Sequence, residues 1–224
     1  ALKNTGQNQG TAGIDINYLP AREVTQGSSD IIVAVLDHGT QLDHPDLNVS
    51  SKSYDTETGR SPSQIWGNHG TACSGIISAK TNNNLGVAGI APNCPVMSIS
   101  NQLMGTSDAP QKRADGFNWA WRNGASVISN SWRSSTFSEL LEDAIQSAMT
   151  NGRNGLGCVV TFSAGNYDSN TVGYPARSLP DIIVVGALSL SGKRKSSTTI
   201  DNEGWWGSDY GTQLDIMAPG VLIY

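Results

Sequence analysis

Three polar side chains stand at the boundaries of apolar or small-residue runs in this sequence. Asp37 closes Ile31-Ile32-Val33-Ala34-Val35-Leu36, His69 opens Gly70-Thr71-Ala72-Cys73-Ser74-Gly75, and Asn166 follows Phe162-Ser163-Ala164-Gly165. A hydroxyl nucleophile needs a base within hydrogen-bond reach, and the base needs a group that fixes its tautomer and stabilises its charged form. His69 has the chemistry of the base, Asp37 of the orienting acid, and Asn166 of a donor to an oxyanion. Each has an ordinary reading when taken singly. A strand-end Asp forms turns, a His beside Gly is a surface or core residue, and Asn after Gly is a left-handed turn residue. Together, in this order and each at an element boundary, they point to a serine hydrolase. The nucleophile is not among them, for no Gly-Thr-Ser follows Asn166.

A second cluster invites a metal reading. Asp37, His38, Asp43, His44 and Asp46 crowd ten residues, but across a Pro-containing turn and at no standard ligand spacing. A structural turn around His44-Pro45-Asp46 is the better expectation. Cys73, Cys94 and Cys158 are an odd count, widely spaced. They fit neither a fully paired framework nor a zinc motif, and Cys73 and Cys158 read as small buried residues.

The elements that must position these groups alternate. Apolar runs at 31–36, 96–99, 126–129, 158–162, 182–185 and 214–217 read as strands. Helical patterns fall within 15–25, at 71–79, at 113–123 with Gly124 as its stop, and after Thr136. There Thr136 with Glu139 resembles a capping box, and Leu140, Leu141, Ala144, Ile145, Ala148 and Met149 form one stripe closed by Gly152. Residues 48–68 read as a polar loop. Strands that are apolar throughout, alternating with helices, predict an α/β fold with a mostly parallel central sheet and helices on both faces. In such folds ligands gather at the carboxyl ends of the strands, where Asp37 and Asn166 stand.

Composition narrows the function class. The chain has 224 residues, a net charge of −5 and 15% charged residues. It has no basic cluster beyond Lys193-Arg194-Lys195, which argues against nucleic acid as a partner. No apolar run is long enough to span a bilayer.

At these residues the chain resembles the subtilisin-like serine protease family, the subtilases. The resemblance is carried by Val35-Leu36-Asp37-His38-Gly39, His44-Pro45-Asp46-Leu47, Asn68-His69-Gly70-Thr71-Ala72-Cys73-Ser74-Gly75 and Gly86-Val87-Ala88-Gly89-Ile90-Ala91-Pro92. It continues through Ile128-Ser129-Asn130-Ser131-Trp132, Phe162-Ser163-Ala164-Gly165-Asn166, Gly173-Tyr174-Pro175-Ala176 and Leu214-Asp215-Ile216-Met217-Ala218-Pro219-Gly220. It implies a secreted or cell-surface serine endopeptidase acting on polypeptide substrates, with Asp37 as triad acid, His69 as base and Asn166 as oxyanion donor. Ser131, Trp132 and Arg133 match the segment that pairs with substrate backbone. Ser163, Ala164 and Gly165 match a wall of the specificity pocket, and Gly173 its floor.

The resemblance also implies a structural calcium site at Asp46 and the loop 80–87, through an Asn (Asn82 or Asn83) and backbone oxygens such as those of Leu85 and Val87. Departures are His38 after the acid, Arg133 in the pairing segment, and residues 192–212, which look inserted and carry Trp205-Trp206. The nucleophile-bearing helix of the family would lie beyond Tyr224. Residues 1–224 are therefore expected to be one incomplete catalytic domain lacking its C-terminal part, inactive alone. The exposed core face would take the missing segment or a second copy. A non-catalytic module that holds peptides in the same cleft is the alternative expectation.

Overall fold

The computed structural model describes residues 2–223. In chain order the regular elements are α1 (Tyr18–Val24), β1 (Ile32–Asp37), β2 (Tyr54–Asp55), α2 (His69–Ser78), β3 (Val96–Ser100), α3 (Ala109–Arg122), β4 (Ala125–Asn130), α4 (Glu139–Gly155), β5 (Val159–Ser163), β6 (Ile183–Leu188) and β7 (Ile216–Pro219). The fold is α/β, with seven strands that run parallel in every pair whose register is defined. The chain divides into two compact units, residues 26–161 and residues 2–25 with 162–223.

In the first unit the strand order is β2-β3-β1-β4. The register sets Asp37 opposite Ser100 of β3, and Leu36 opposite Asn130 of β4. Parallel pairing thus brings the ends of three strands to one edge. Residues 33–37 of β1 and all of β3 are buried, on alternate sides and without a break. Both faces of this sheet are therefore covered, which is why the sequence reads as continuous apolar runs rather than alternation. Gly116 of α3 shows how close the cover comes. A Cβ there would meet Leu36, Ile99 and Thr56 side chains at 3.0 Å.

Three local expectations are corrected. α3 begins at Ala109, four residues early, because Pro110 is tolerated in a first turn, where no N–H is needed. α4 is capped by Ser138, whose Oγ accepts from Leu141 N–H at 3.3 Å, and not by Thr136. Thr136 is instead tied to Ser134. The loop 48–68 contains the two-residue strand β2. The helical stripe keeps Leu141, Ala144, Ile145 and Ala148 buried while Leu140 is exposed, and helical dihedrals end at Gly152.

In the second unit β6 and β7 pair in parallel, Val185 to Ile216 through Leu188 to Pro219. Its 192–212 segment folds around Lys195. That ammonium is fully buried and hydrogen-bonded to Ser196 O, Glu203 O and Thr199 Oγ1, 3.3 Å from Asp201 and over the Trp206 ring. Trp206 is thereby packed, whereas Trp205 is 77% exposed.

Candidate functional site

Asp37 is the last residue of β1 and is wholly buried. A carboxylate there requires donors. One is the His38 N–H at 2.7 Å from Oδ1. The other is His69, whose Nδ1 lies 2.9 Å from both carboxylate oxygens. Since the carboxylate only accepts, Nδ1 carries the proton, and Nε2 is left to exchange one with a substrate or nucleophile. The His69 side chain is 51% exposed, so that nitrogen is within reach of solvent.

Glycine makes this approach feasible. Gly39 has φ +94°, and a Cβ on it would fall 2.1 Å from Gln64 O. A Cβ on Gly70 would sit 2.5 Å from Gly39 O. With neither present, the start of α2 lies directly on the turn that follows β1. Hydroxyls stitch the two together: Thr71 Oγ1 accepts from Gln41 N–H, and Thr40 Oγ1 bonds Ser74 Oγ at 2.7 Å.

The environment favours the charged imidazole. The Asp37 carboxylate first, and the Cys73 sulfur second, hold His69 well above the ordinary histidine range, at about 10. Cys73 was expected to be buried, yet it is half-buried and free. Its Sγ is 3.8 Å from His69 Nδ1 and 3.7 Å from Ser131 Oγ. A spacing of four on one helix was the signal that could have revealed this. His38 stands edge-on to His69, ring centroids 6.2 Å apart.

Of the expected substrate-contacting residues in this unit, Ser131 and Arg133 are exposed just past β4. Trp132 is buried, with the Arg113 guanidinium 4.8 Å over its ring. Asp46 and Asn83 meet as acceptor and donor: Asn83 Nδ2 lies 2.7 Å from Asp46 Oδ1, and Val87 N–H 3.1 Å from Oδ2. Asn83 Oδ1 accepts from Leu85 N–H. The residue types suit a hard cation, but binding one would need the Asn83 amide to turn its oxygen toward it. The His44 turn forms as anticipated, with its ring nitrogen accepting from Asp46 N–H.

In the second unit Ser163, Ala164 and Gly165 lead from β5 to the exposed Asn166. Ala164 O accepts from Gly173 N–H at 2.9 Å, so the expected wall and floor segments touch. Sequence reasoning missed Asp209, a wholly buried carboxylate within the segment that looked inserted. Its Oδ1 accepts from Tyr167 and Ser169 N–H, each at 2.9 Å, and its own N–H donates to Gly165 O. The positive φ of Gly165 lets that carboxylate come close, for a Cβ there would fall 2.1 Å from Oδ2. Asp209 therefore shapes the loop that presents Asn166.

A family model described as the subtilase family matches residues 28–223. Subtilisin NAT of Bacillus subtilis subsp. natto is 34% identical over 201 residues, covering 87% of this chain and 48% of that protein. The thermophilic serine proteinase of Bacillus sp. (strain AK1) is 35% identical over 204 residues, covering 91% and 47%. The chain thus spans about half the length of these curated relatives. Among solved structures, a protease of Pseudoalteromonas arctica superposes with a TM-score of 0.75 at 26% identity, covering 98% of this chain and 73% of that one.

Proposed function

We propose, from the premise that this chain belongs to the subtilase family, that it carries the acid, base and oxyanion donor of a serine endopeptidase acting on polypeptides. The observation that carries the reading is the buried Asp37 carboxylate held at 2.9 Å from His69 Nδ1. Asp37 fixes the tautomer and stabilises the imidazolium. His69 takes the proton of a serine hydroxyl and returns it to the leaving amine. The Asn166 amide donates to the oxyanion. Ser131, Trp132 and Arg133 pair with substrate backbone, and Ser163, Ala164, Gly165 and Gly173 shape the specificity pocket.

The test is labelling of the full-length protein with a serine-reactive fluorophosphonate. Labelling is expected in the unaltered protein and lost in His69→Ala and Asp37→Ala. Equal labelling of His69→Ala overturns the assignment of the base.

We propose calcium as a structural ion at Asp46, with Asn83 and the carbonyls of Leu85 and Val87. Adding calcium at a hundredfold its Kd would stabilise by about 2.7 kcal/mol. That gain, read as a rise in Tm, should vanish in Asp46→Asn; a Tm indifferent to calcium overturns the site. We propose also that the protein is secreted and that a further polypeptide segment covers the open face of β6 and β7. Among the described residues no helix is long and apolar enough to cross a membrane.

A further inference from the structure

Arg113 is a buried cation that the fold leaves without a carboxylate. It sits on α3 with 2% of its surface exposed. None of the ion pairs among the described residues includes it. Its Nη2 donates to Met104 O at 3.2 Å, and its buried Nε has no hydrogen-bond partner. The guanidinium lies 4.8 Å over the Trp132 ring. Burial pushes its pKa below the ordinary arginine value, and the Glu57 carboxylate only partly offsets this. Glu57 is already engaged, by Lys112 Nζ at 2.7 Å and by the Gln102 N–H at 2.9 Å. Lys195, equally buried, has Asp201 beside it at 3.3 Å. Buried charges are as a rule paired, and Arg113 is the exception that calls for a partner.

We propose that Arg113 is a specificity-determining residue, which pairs with an Asp or Glu side chain of a peptide held along Ser131, Trp132 and Arg133, so that the cleft selects acidic peptides.

The placement favours a partner from outside the fold. Met104 follows β3 and Trp132 follows β4, and both strands run parallel to β1 and end at the edge where Asp37 stands. Met104 is 59% exposed, and Ser131 and Arg133 are exposed on either side of Trp132. The guanidinium is thus held by two segments that both reach solvent. A carboxylate entering between them meets a planar fork of N–H donors that suits its two oxygens. An amide of the same shape brings an oxygen but no charge, and leaves the buried cation uncompensated. Arg133 adds a second positive charge on the same segment. The chain as a whole carries −5 and repels acidic peptides at long range, so a preference for them has to arise locally. The selection rests on the peptide-binding role proposed for residues 131–133 and does not need the triad.

The experiment uses the full-length protein bearing His69→Ala, which keeps bound peptides intact. A randomised synthetic peptide library is passed over it, and the retained peptides are sequenced by mass spectrometry. They should carry Asp or Glu at one fixed position. A matched pair of peptides with Glu or Gln at that position should differ in Kd by about tenfold or more, the scale of a hydrogen bond to a charged group. The difference should disappear in Arg113→Met, weaken in Arg113→Lys and largely persist in Arg133→Gln. Arg113→Met replaces an uncompensated cation by an apolar side chain of similar length, a change that buried sites tolerate. Equal binding of the Glu and Gln peptides, or a preference that survives Arg113→Met, overturns the proposal and leaves the peptide cleft standing. Retention of no peptide at all overturns the cleft, and the selectivity with it.

Discussion

β1 and β6 are parallel strands of six residues each, and their cover differs. From Val33 to Asp37 no side chain of β1 reaches solvent appreciably. β6 alternates, with Val184 at 1% and Ile183 at 40% exposure, and its neighbour β7 shows Ile216 at 56%. β1 is covered on both faces, whereas Ile183 of β6 and Ile216 of β7 are left exposed. Asp37 therefore rests on a frame that its own unit completes. The loop bearing Asn166 rests on a half-covered sheet and is fixed by polar links instead: Asp209 to the Tyr167 and Ser169 amides, and Arg194 to Asp168. Rigid placement of a polar group can come from burial or from hydrogen bonds, and the two units differ in which they use for Asp37 and for the loop bearing Asn166.

The largest expected effect tests the contrast in cover. Leu36→Ala removes a side chain with no exposure and should cost about 2–5 kcal/mol. Ile216→Ala should cost less than about 1 kcal/mol, since over half of Ile216 already faces solvent. Urea unfolding of both variants measures the difference. Comparable losses would mean that β7 is covered in solution.

The next effect sharpens the polar half. Asp209→Ala leaves the amides of Tyr167 and Ser169 without their carboxylate and should cost about 1–3 kcal/mol. Hydrogen exchange should accelerate at those two amides and stay unchanged in β1 and β3. Unchanged exchange at 167 and 169 would show that the loop holds its shape without the carboxylate.

What was legible in the sequence follows the same division. A continuous apolar run announced β1, because burial on both faces leaves one pattern. Asp37 and His69 were found because a strand end and a helix start frame them. Asp209 was not found, because its partners are backbone amides forty residues away, and such pairings leave no trace in a local pattern. The neighbours of Cys73 have the pattern of a small-residue core, whereas its place four residues after His69 on α2 sets its sulfur beside that ring. The cap of α4 was misplaced by two residues because Thr136 and Ser138 are both competent N-cap types, and only the backbone path chooses between them.

The smallest effect is one of pH, and it belongs to the first unit alone, since His38, His44 and His69 all lie there. His69 is raised in the folded chain to about 10, by Asp37 first and then by the Cys73 sulfur, with the His38 ring nearby. In the unfolded chain it would titrate near its ordinary value of about 6.5. A raised folded value means that the proton binds more tightly in the native state. The stabilisation is therefore complete below pH of about 6.5 and is lost as pH climbs through about 10. Because half of the His69 side chain faces solvent, screening should hold it under about 1 kcal/mol. Urea midpoints between pH 6 and pH 10.5, compared between the unaltered chain and Asp37→Asn, isolate it from the other titrating groups. The difference should shrink as pH rises. A constant difference would mean that the two side chains attract each other no more strongly when the ring is charged, and the buried frame under Asp37 would then be holding geometry without charge.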